Sequence, residues 1–238
     1  MTNQWTIEQG GNYPVPALQC DYENNREQRL PCVLVVDGSG SMQKDDAIDD
    51  LNRGLAAFAR ALKNDPNTAM RVQVTVIRFG GTVEVLTPWV DAMSFTPPQV
   101  EAGGETPMGA AVELAMDMVE NQIKELKAAG IARKRPWIWL MSDGRPTDDR
   151  WQVVAEKARQ RQHDGKFFLY PVSVVSEEDE SHTAALRGFS ARNKCINIKR
   201  TEFSEFFDVV SALSSTGSMD DIDDERDIWD MLNLQKRM

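Results

Sequence analysis

An α/β fold is what this sequence predicts: a doubly wound, mostly parallel central sheet with one antiparallel edge strand and helices on both faces. Three observations carry that expectation. Apolar strand-like runs alternate with amphipathic helical ones from Leu30 to Leu213, the pattern of a sheet covered on both sides. Two of those runs, Cys32-Val33-Leu34-Val35-Val36 and Trp137-Ile138-Trp139-Leu140-Met141, read as buried strands that end in polar loops. A Gly80-Gly81 pair between two strand-like segments marks a hairpin, which supplies the antiparallel edge.

The elements follow in order. Residues 1–28 are polar and aperiodic, with Gly10-Gly11 and Pro14-Val15-Pro16, and read as an extended lead-in packed along a sheet edge. The domain proper is expected over 29–214. After the strand Cys32–Val36, a helix from about Asp45 to Lys63 carries Ile48, Leu51, Leu55, Phe58, Ala59 and Leu62 at helical spacing. Asp65-Pro66-Asn67 ends it. Val72 to Phe79 alternates Val72, Val74 and Val76 with Gln73 and Thr75, which says strand, and Thr82 to Leu86 is its hairpin partner.

Pro97-Pro98 breaks the chain, and Thr106-Pro107 opens a helix to about Lys127, with Pro107 at the first helical position. The strand Trp137–Ser142 follows, with Trp137 and Trp139 on one face. Then come a helix from about Asp148 to His163, a strand Phe167–Val175, a short helix Glu180–Phe189, a strand Cys195–Ile198 and a helix Ser204–Leu213. Residues 215–238 form an acidic tail in which Ile228-Trp229-Asp230-Met231-Leu232 suggests a docking helix.

Composition narrows the function classes. The net charge of −10 argues against nucleic acid and against anionic membrane surfaces, because neutralising phosphates needs clustered Lys and Arg. No apolar run approaches membrane-spanning length, and Met1-Thr2-Asn3-Gln4-Trp5 lacks the basic start and apolar core of a leader, so a cytoplasmic location is expected. Cys20, Cys32 and Cys195 have no CxxC spacing, which suits free thiols in a reducing compartment.

The informative residues lie behind the apolar runs. Asp37-Gly38-Ser39-Gly40-Ser41 follows the first strand, Thr106 opens a helix after Gly103-Gly104-Glu105, and Asp143 ends the run Trp137–Ser142. In an open α/β sheet these loops meet at the crevice beyond the carboxyl ends of the strands. Gly38 and Gly40 are expected to let the first loop curl so that both serines point inward. Asp37, Ser39, Ser41, Thr106 and Asp143 all offer oxygen, and no His or Cys joins them. That selects Mg²⁺, Mn²⁺ or Ca²⁺ over Zn²⁺ or Cu²⁺, and neutral hydroxyls favour Mg²⁺. If hydroxyls touch the metal and the aspartates act through water, the ion stays electrophilic towards an incoming carboxylate. Gly40, Met42, Glu105 and Arg145 are the expected partner-binding rim, and Lys44 flanks it.

Asp37-Gly38-Ser39-Gly40-Ser41, then Thr106-Pro107, then Ser142-Asp143-Gly144, resembles the metal-ion-dependent adhesion site of von Willebrand factor A domains. The resemblance covers about Leu30 to Leu213. Leu30–Asp37 and Met141–Asp149 look most like the bacterial intracellular TerY-like branch associated with tellurium resistance. It implies a Rossmann-like fold and one divalent ion. It also implies direct contacts from Ser39, Ser41 and Thr106, with Asp37 and Asp143 acting mainly through water. A protein partner presenting Asp or Glu is implied, with phosphatase- or kinase-like proteins of stress or defence systems as candidates by analogy.

Competing readings are weaker. There is no Gly-Lys-Ser/Thr phosphate loop, and Gln43 stands where a dinucleotide fingerprint needs its third glycine. His163 and His182 sit in polar helical contexts without a GxSxG nucleophile, and Asp148-Asp149 reads as helix capping. A Mg²⁺-dependent phosphohydrolase using the same aspartates is the alternative, and a non-enzymatic binder is expected. The acidic tail suggests self-association, with one of Asp220, Asp221, Asp223, Asp224 or Glu225 supplying a carboxylate.

Overall fold

The computed structural model describes residues 20–174, 180–198 and 210. Within them one sheet is built from β1 (Leu30–Asp37), β2 (Val72–Gly80), β3 (Thr82–Asp91), β4 (Trp137–Ser142), β5 (Phe168–Val174) and β6 (Ile196–Ile198). The spatial order is β3-β2-β1-β4-β5-β6. All pairings are parallel except β2 with β3, which is antiparallel at the edge. The order reverses at β1, which has β2 on one side and β4 on the other. The crevice of such a sheet lies at this switch, beyond the carboxyl ends of β1 and β4.

Each central strand is buried on both faces, which is why its sequence reads as a continuous apolar run. Leu34 and Val36 face one layer with Leu51, Leu55, Phe58 and Leu62 of α1 (Ala47–Asn64). Val33 and Val35 face the other layer. It contains Met108, Val112, Ala115 and Val119 of α3 (Met108–Ala128) and Val154 and Ala158 of α4 (Trp151–His163). Trp139 stacks on Tyr170 with ring centroids 4.6 Å apart.

Several elements depart from expectation. Gln73 and Thr75 are polar positions of β2. Both are buried, because Thr75 Oγ1 donates to Thr87 O at 2.7 Å and Gln73 Nε2 donates to Asp91 Oδ1 at 3.0 Å. Strand β3 runs past Leu86 to Asp91. Pro88 is tolerated because the register shifts between Val74 and Val76, leaving a bulge on an edge strand. An extra helix, α2 (Pro66–Arg71), follows α1 and is capped by Asp65, whose carboxylate accepts from Asn67 N and Thr68 N. Pro107 is the cap of α3, one position outside the helix. The short helix α5 is Glu180–Arg187.

Residues 20–28 pack around Arg29, which is fully buried. Its guanidinium donates to Asp21 O, Asn25 O, Asn25 Oδ1 and Glu27 O, and Nε lies 3.7 Å from Asp91 Oδ1. Tyr22 OH accepts from Gln122 Nε2 at 2.9 Å, tying the segment to α3. Residues 1–19, the tail over 215–238 and the expected helix Ser204–Leu213 lie outside the described residues, apart from Val210, which is helical and buried in the core. No described helix is long and apolar enough to cross a membrane.

Candidate metal site at the sheet rim

The parallel register of β1 and β4 brings the end of one strand beside the end of the other. Asp37 and Ser142 meet there, Ser142 Oγ donating to Asp37 Oδ2 at 2.5 Å. The other carboxylate oxygen, Oδ1, accepts from Ser39 N at 2.7 Å. The chain then turns so that Ser39 Oγ and Ser41 Oγ lie 2.9 Å apart. Ser41 Oγ donates across the rim to Asp143 Oδ1 at 2.6 Å.

Thr106 completes the set from a third loop. Its backbone is clamped by Thr147, whose Oγ1 accepts from Thr106 N at 3.0 Å and whose N donates to Thr106 O at 3.0 Å. The meeting point of the three loops is fixed by Gly144. A methyl group there would lie 3.5 Å from both Ser41 Oγ and Thr106 Oγ1, and 3.8 Å from Asp37 Oδ2.

The electrostatics are unusual for a carboxylate. Asp37 is 1% exposed. Burial pushes its carboxyl up to about 6, the hydrogen bonds from Ser142 and Ser39 oppose the rise, and the nearby Asp143 charge adds to it. Among the described residues no Lys or Arg forms an ion pair with Asp37. An acid desolvated without a positive partner is relieved by a cation placed against it. The oxygens are three hydroxyls and two carboxylates, and among the described residues no group of three His, Cys, Asp or Glu is placed to hold a metal ion. These residues therefore fit a hard divalent cation.

The structure brings Asp37, Ser39, Ser41, Thr106 and Asp143 to one rim. Around them Glu105 and Arg145 are exposed and Gly40 is half-buried. Met42 is a correction to the expected rim: it is 1% exposed and packs into the α1 layer, because the 3-10 turn over Gly40–Asp46 points it down at the core. That turn also delays the helix. Asp45 and Asp46 take left-handed backbone angles before α1 starts at Ala47.

The first loop does curl so that Ser39 and Ser41 meet, but not through a left-handed glycine. Gly38 and Gly40 do not adopt positive φ. They are small because backbones meet here: Gly40 N donates to Gly104 O at 2.9 Å, and Gly103 N donates to Gly38 O at 2.8 Å. Asp148 does not cap the helix that follows it. Its Oδ1 accepts from Gly109 N at 3.0 Å in the first turn of α3, so it anchors the helix behind Thr106. Ser142, Thr147, Asp148 and Gly144 thus shape the site; Ser142 and Gly144 belong to the Ser142-Asp143-Gly144 motif, whereas only adjacency in the sequence pointed to Thr147 and Asp148.

Residues 32–145, which include all five oxygen-bearing side chains, match the family profile described as von Willebrand factor type A domain. No curated protein matches the chain. Solved structures share the fold. The vWF domain of the type V pili tip protein Mfa5 from Porphyromonas gingivalis is similar with a TM-score of 0.60 at 9% identity, over 79% of this chain and 95% of that one. Proximal thread matrix protein 1 from the mussel byssus gives 0.55 at 16% identity, over 80% of this chain and 49% of its own, so this chain spans about half the mussel protein. Manganese-loaded TRAP from Plasmodium vivax gives 0.52 at 19% identity, over 76% and 73%.

Proposed function

We propose that this von Willebrand A-type domain is a protein-binding adaptor. It captures an acidic side chain of a partner through one divalent cation held by Ser39, Ser41 and Thr106, with Asp37 and Asp143 beside it. The observation that carries the reading is the meeting of oxygens from three loops next to Gly144, backed by a buried Asp37 with no positive partner among the described residues. When bound, the ion supplies an electrophilic position for a carboxylate.

The chain's own residues do the rest. Ser142 Oγ and Ser39 N hold Asp37 in one orientation beside the hydroxyls. Asp143 accepts from Ser41 Oγ, which orients that hydroxyl. The exposed Arg145 adds positive charge at the rim and favours an acidic partner, while Glu105 points to solvent. Three neutral hydroxyls suit Mg²⁺, with Mn²⁺, as carried by the TRAP crystals, and Ca²⁺ as alternatives.

Both oxygens of Asp37 are already engaged, which favours binding over nucleophilic hydrolysis. By likeness of the Leu30–Asp37 and Met141–Asp149 stretches, we place the domain in a TerY-like cytoplasmic stress or defence system with phosphatase- or kinase-like partners.

The test has two parts. Calorimetric titration with Mg²⁺ should show one site that Ser39→Ala and Thr106→Ala remove. Affinity capture in Mg²⁺ should retain a partner that EDTA and the same variants release. Capture that ignores both chelator and substitutions overturns the reading. Phosphatase turnover lost in Asp37→Asn would put hydrolysis in its place.

A further inference from the structure

We infer that Arg78 is the positioning residue that locks the metal-binding loops into one geometry. The inference deepens the metal-site reading above and rests on it. Arg78 lies on β2, one strand away from Asp37, and its side chain is 11% exposed. Its guanidinium reaches three backbone carbonyls from three separate turns. Nε donates to Glu101 O at 2.8 Å, Nη1 to Gly80 O at 3.0 Å and Nη2 to Gly38 O at 3.2 Å. Gly38 lies between Asp37 and Ser39. Glu101 begins the loop that leads to Thr106. Gly80 is in the hairpin turn that packs between them.

The surrounding backbone shows why a side chain is needed at this point. Gly38 O also accepts from Gly103 N, and Gly81 N donates to Glu105 O at 2.8 Å. The three turns are therefore stacked carbonyl against amide. A Cβ on Gly38 would meet Arg78 Nε at 2.6 Å, Glu101 O at 2.7 Å and Arg78 Cγ at 3.2 Å, so the glycine leaves room for the guanidinium and for the carbonyl it holds. Glu84, opposite Arg78 in the hairpin, lies 3.6 Å from Nη1 and is itself held by Thr82 Oγ1 at 2.5 Å.

A planar fork can bridge several carbonyls at once, whereas an ammonium is a single point donor. The loop of Ser39 and Ser41 and the loop of Thr106 are thereby tied to one rigid group on the sheet. Groups that orient metal ligands typically carry a ten- to hundredfold share of affinity.

The experiment titrates Mn²⁺ alone into the full chain and counts bound ion by electron paramagnetic resonance. The unaltered chain should bind one Mn²⁺. Arg78→Lys and Arg78→Gln should weaken that binding about ten- to hundredfold. Glu84→Gln, which removes the ion pair and leaves the three carbonyl bonds, should change it by less than about twofold. The rise in thermal midpoint between EDTA and Mn²⁺ should shrink in the Arg78 variants, which separates positioning from general stability. Gly38→Ala keeps the guanidinium but crowds both it and the Glu101 carbonyl it holds, and should weaken Mn²⁺ in the same way, so the inference stays testable if an Arg78 variant does not fold. No Mn²⁺ binding by the unaltered chain overturns the metal-site reading and this inference with it. Binding by the unaltered chain that Arg78→Lys or Gly38→Ala leaves intact overturns this inference alone.

Discussion

Asp37 sits at 1% exposure, and the hydrogen bonds to its carboxylate come from Ser39 N and Ser142 Oγ. Removing one of them leaves a buried acid short of a donor, so Ser142→Ala should cost about 1–3 kcal/mol in urea unfolding, with Mg²⁺ recovering part of the loss. The same burial logic acts on the thiol of Cys32, which desolvation pushes up to about 12. Alkylation with iodoacetamide at pH 8, mapped by mass spectrometry, should leave Cys32 unmodified in the native protein and modify it in guanidinium. Labelling of native Cys32 would mean that β1 opens readily. At this scale the five oxygen-bearing side chains that meet at the rim were readable because their spacing behind apolar runs is local. Met42 was misplaced because the 3-10 turn that inverts it has no separate sequence mark.

At the scale of elements, the rim depends on turns that touch backbone to backbone. A methyl on Gly80 would lie 2.1 Å from Gly38 O, so Gly80→Ala must displace the loop that carries Ser39. We expect about 1–3 kcal/mol of destabilisation and weaker Mg²⁺ binding in calorimetry. Asp148 caps the first turn of α3 from a loop 39 residues away. Asp148→Ala should cost about 1 kcal/mol in denaturant unfolding. Asp149→Ala, an exposed neighbour, should stay within about 0.5 kcal/mol. Equal effects of the two substitutions would remove the capping argument. Strand β4 was legible to the residue and β1 in its central part, Cys32–Val36, short of Leu30, Pro31 and Asp37, since both faces of each are dry. Helix α2 was not, because its six residues carry too little periodicity to register. The second half of β3 was hidden by Pro88, which reads as a strand breaker until the bulge is seen.

At the scale of the molecule, a cation that binds the folded chain and not the unfolded one stabilises it by mass action. At one hundred times its dissociation constant the gain is about 2.7 kcal/mol. Mg²⁺ should therefore raise the melting temperature and EDTA should abolish the rise, with Thr106→Ala insensitive to both. The net charge of −10 adds to the attraction for a dication and, with the acidic tail, frames the self-association hypothesis. Deleting residues 217–238 should raise affinity for the partner or change the oligomeric state in light scattering, and no change in either disposes of that role.

By itself the amino-acid sequence determined the doubly wound sheet, its antiparallel edge and the residue types gathered at its rim. Burial on two faces and hairpin chemistry write themselves into short, contiguous stretches of chain. Only the tertiary structure decided which groups hold that rim together: Arg78 on Gly38 O across 40 residues, Asp148 on the first turn of α3, Gly80 against Gly38. The physical reason is that these contacts join backbone atoms of distant turns. A carbonyl or amide has the same chemistry at every position, so no local pattern can announce which one a side chain will find.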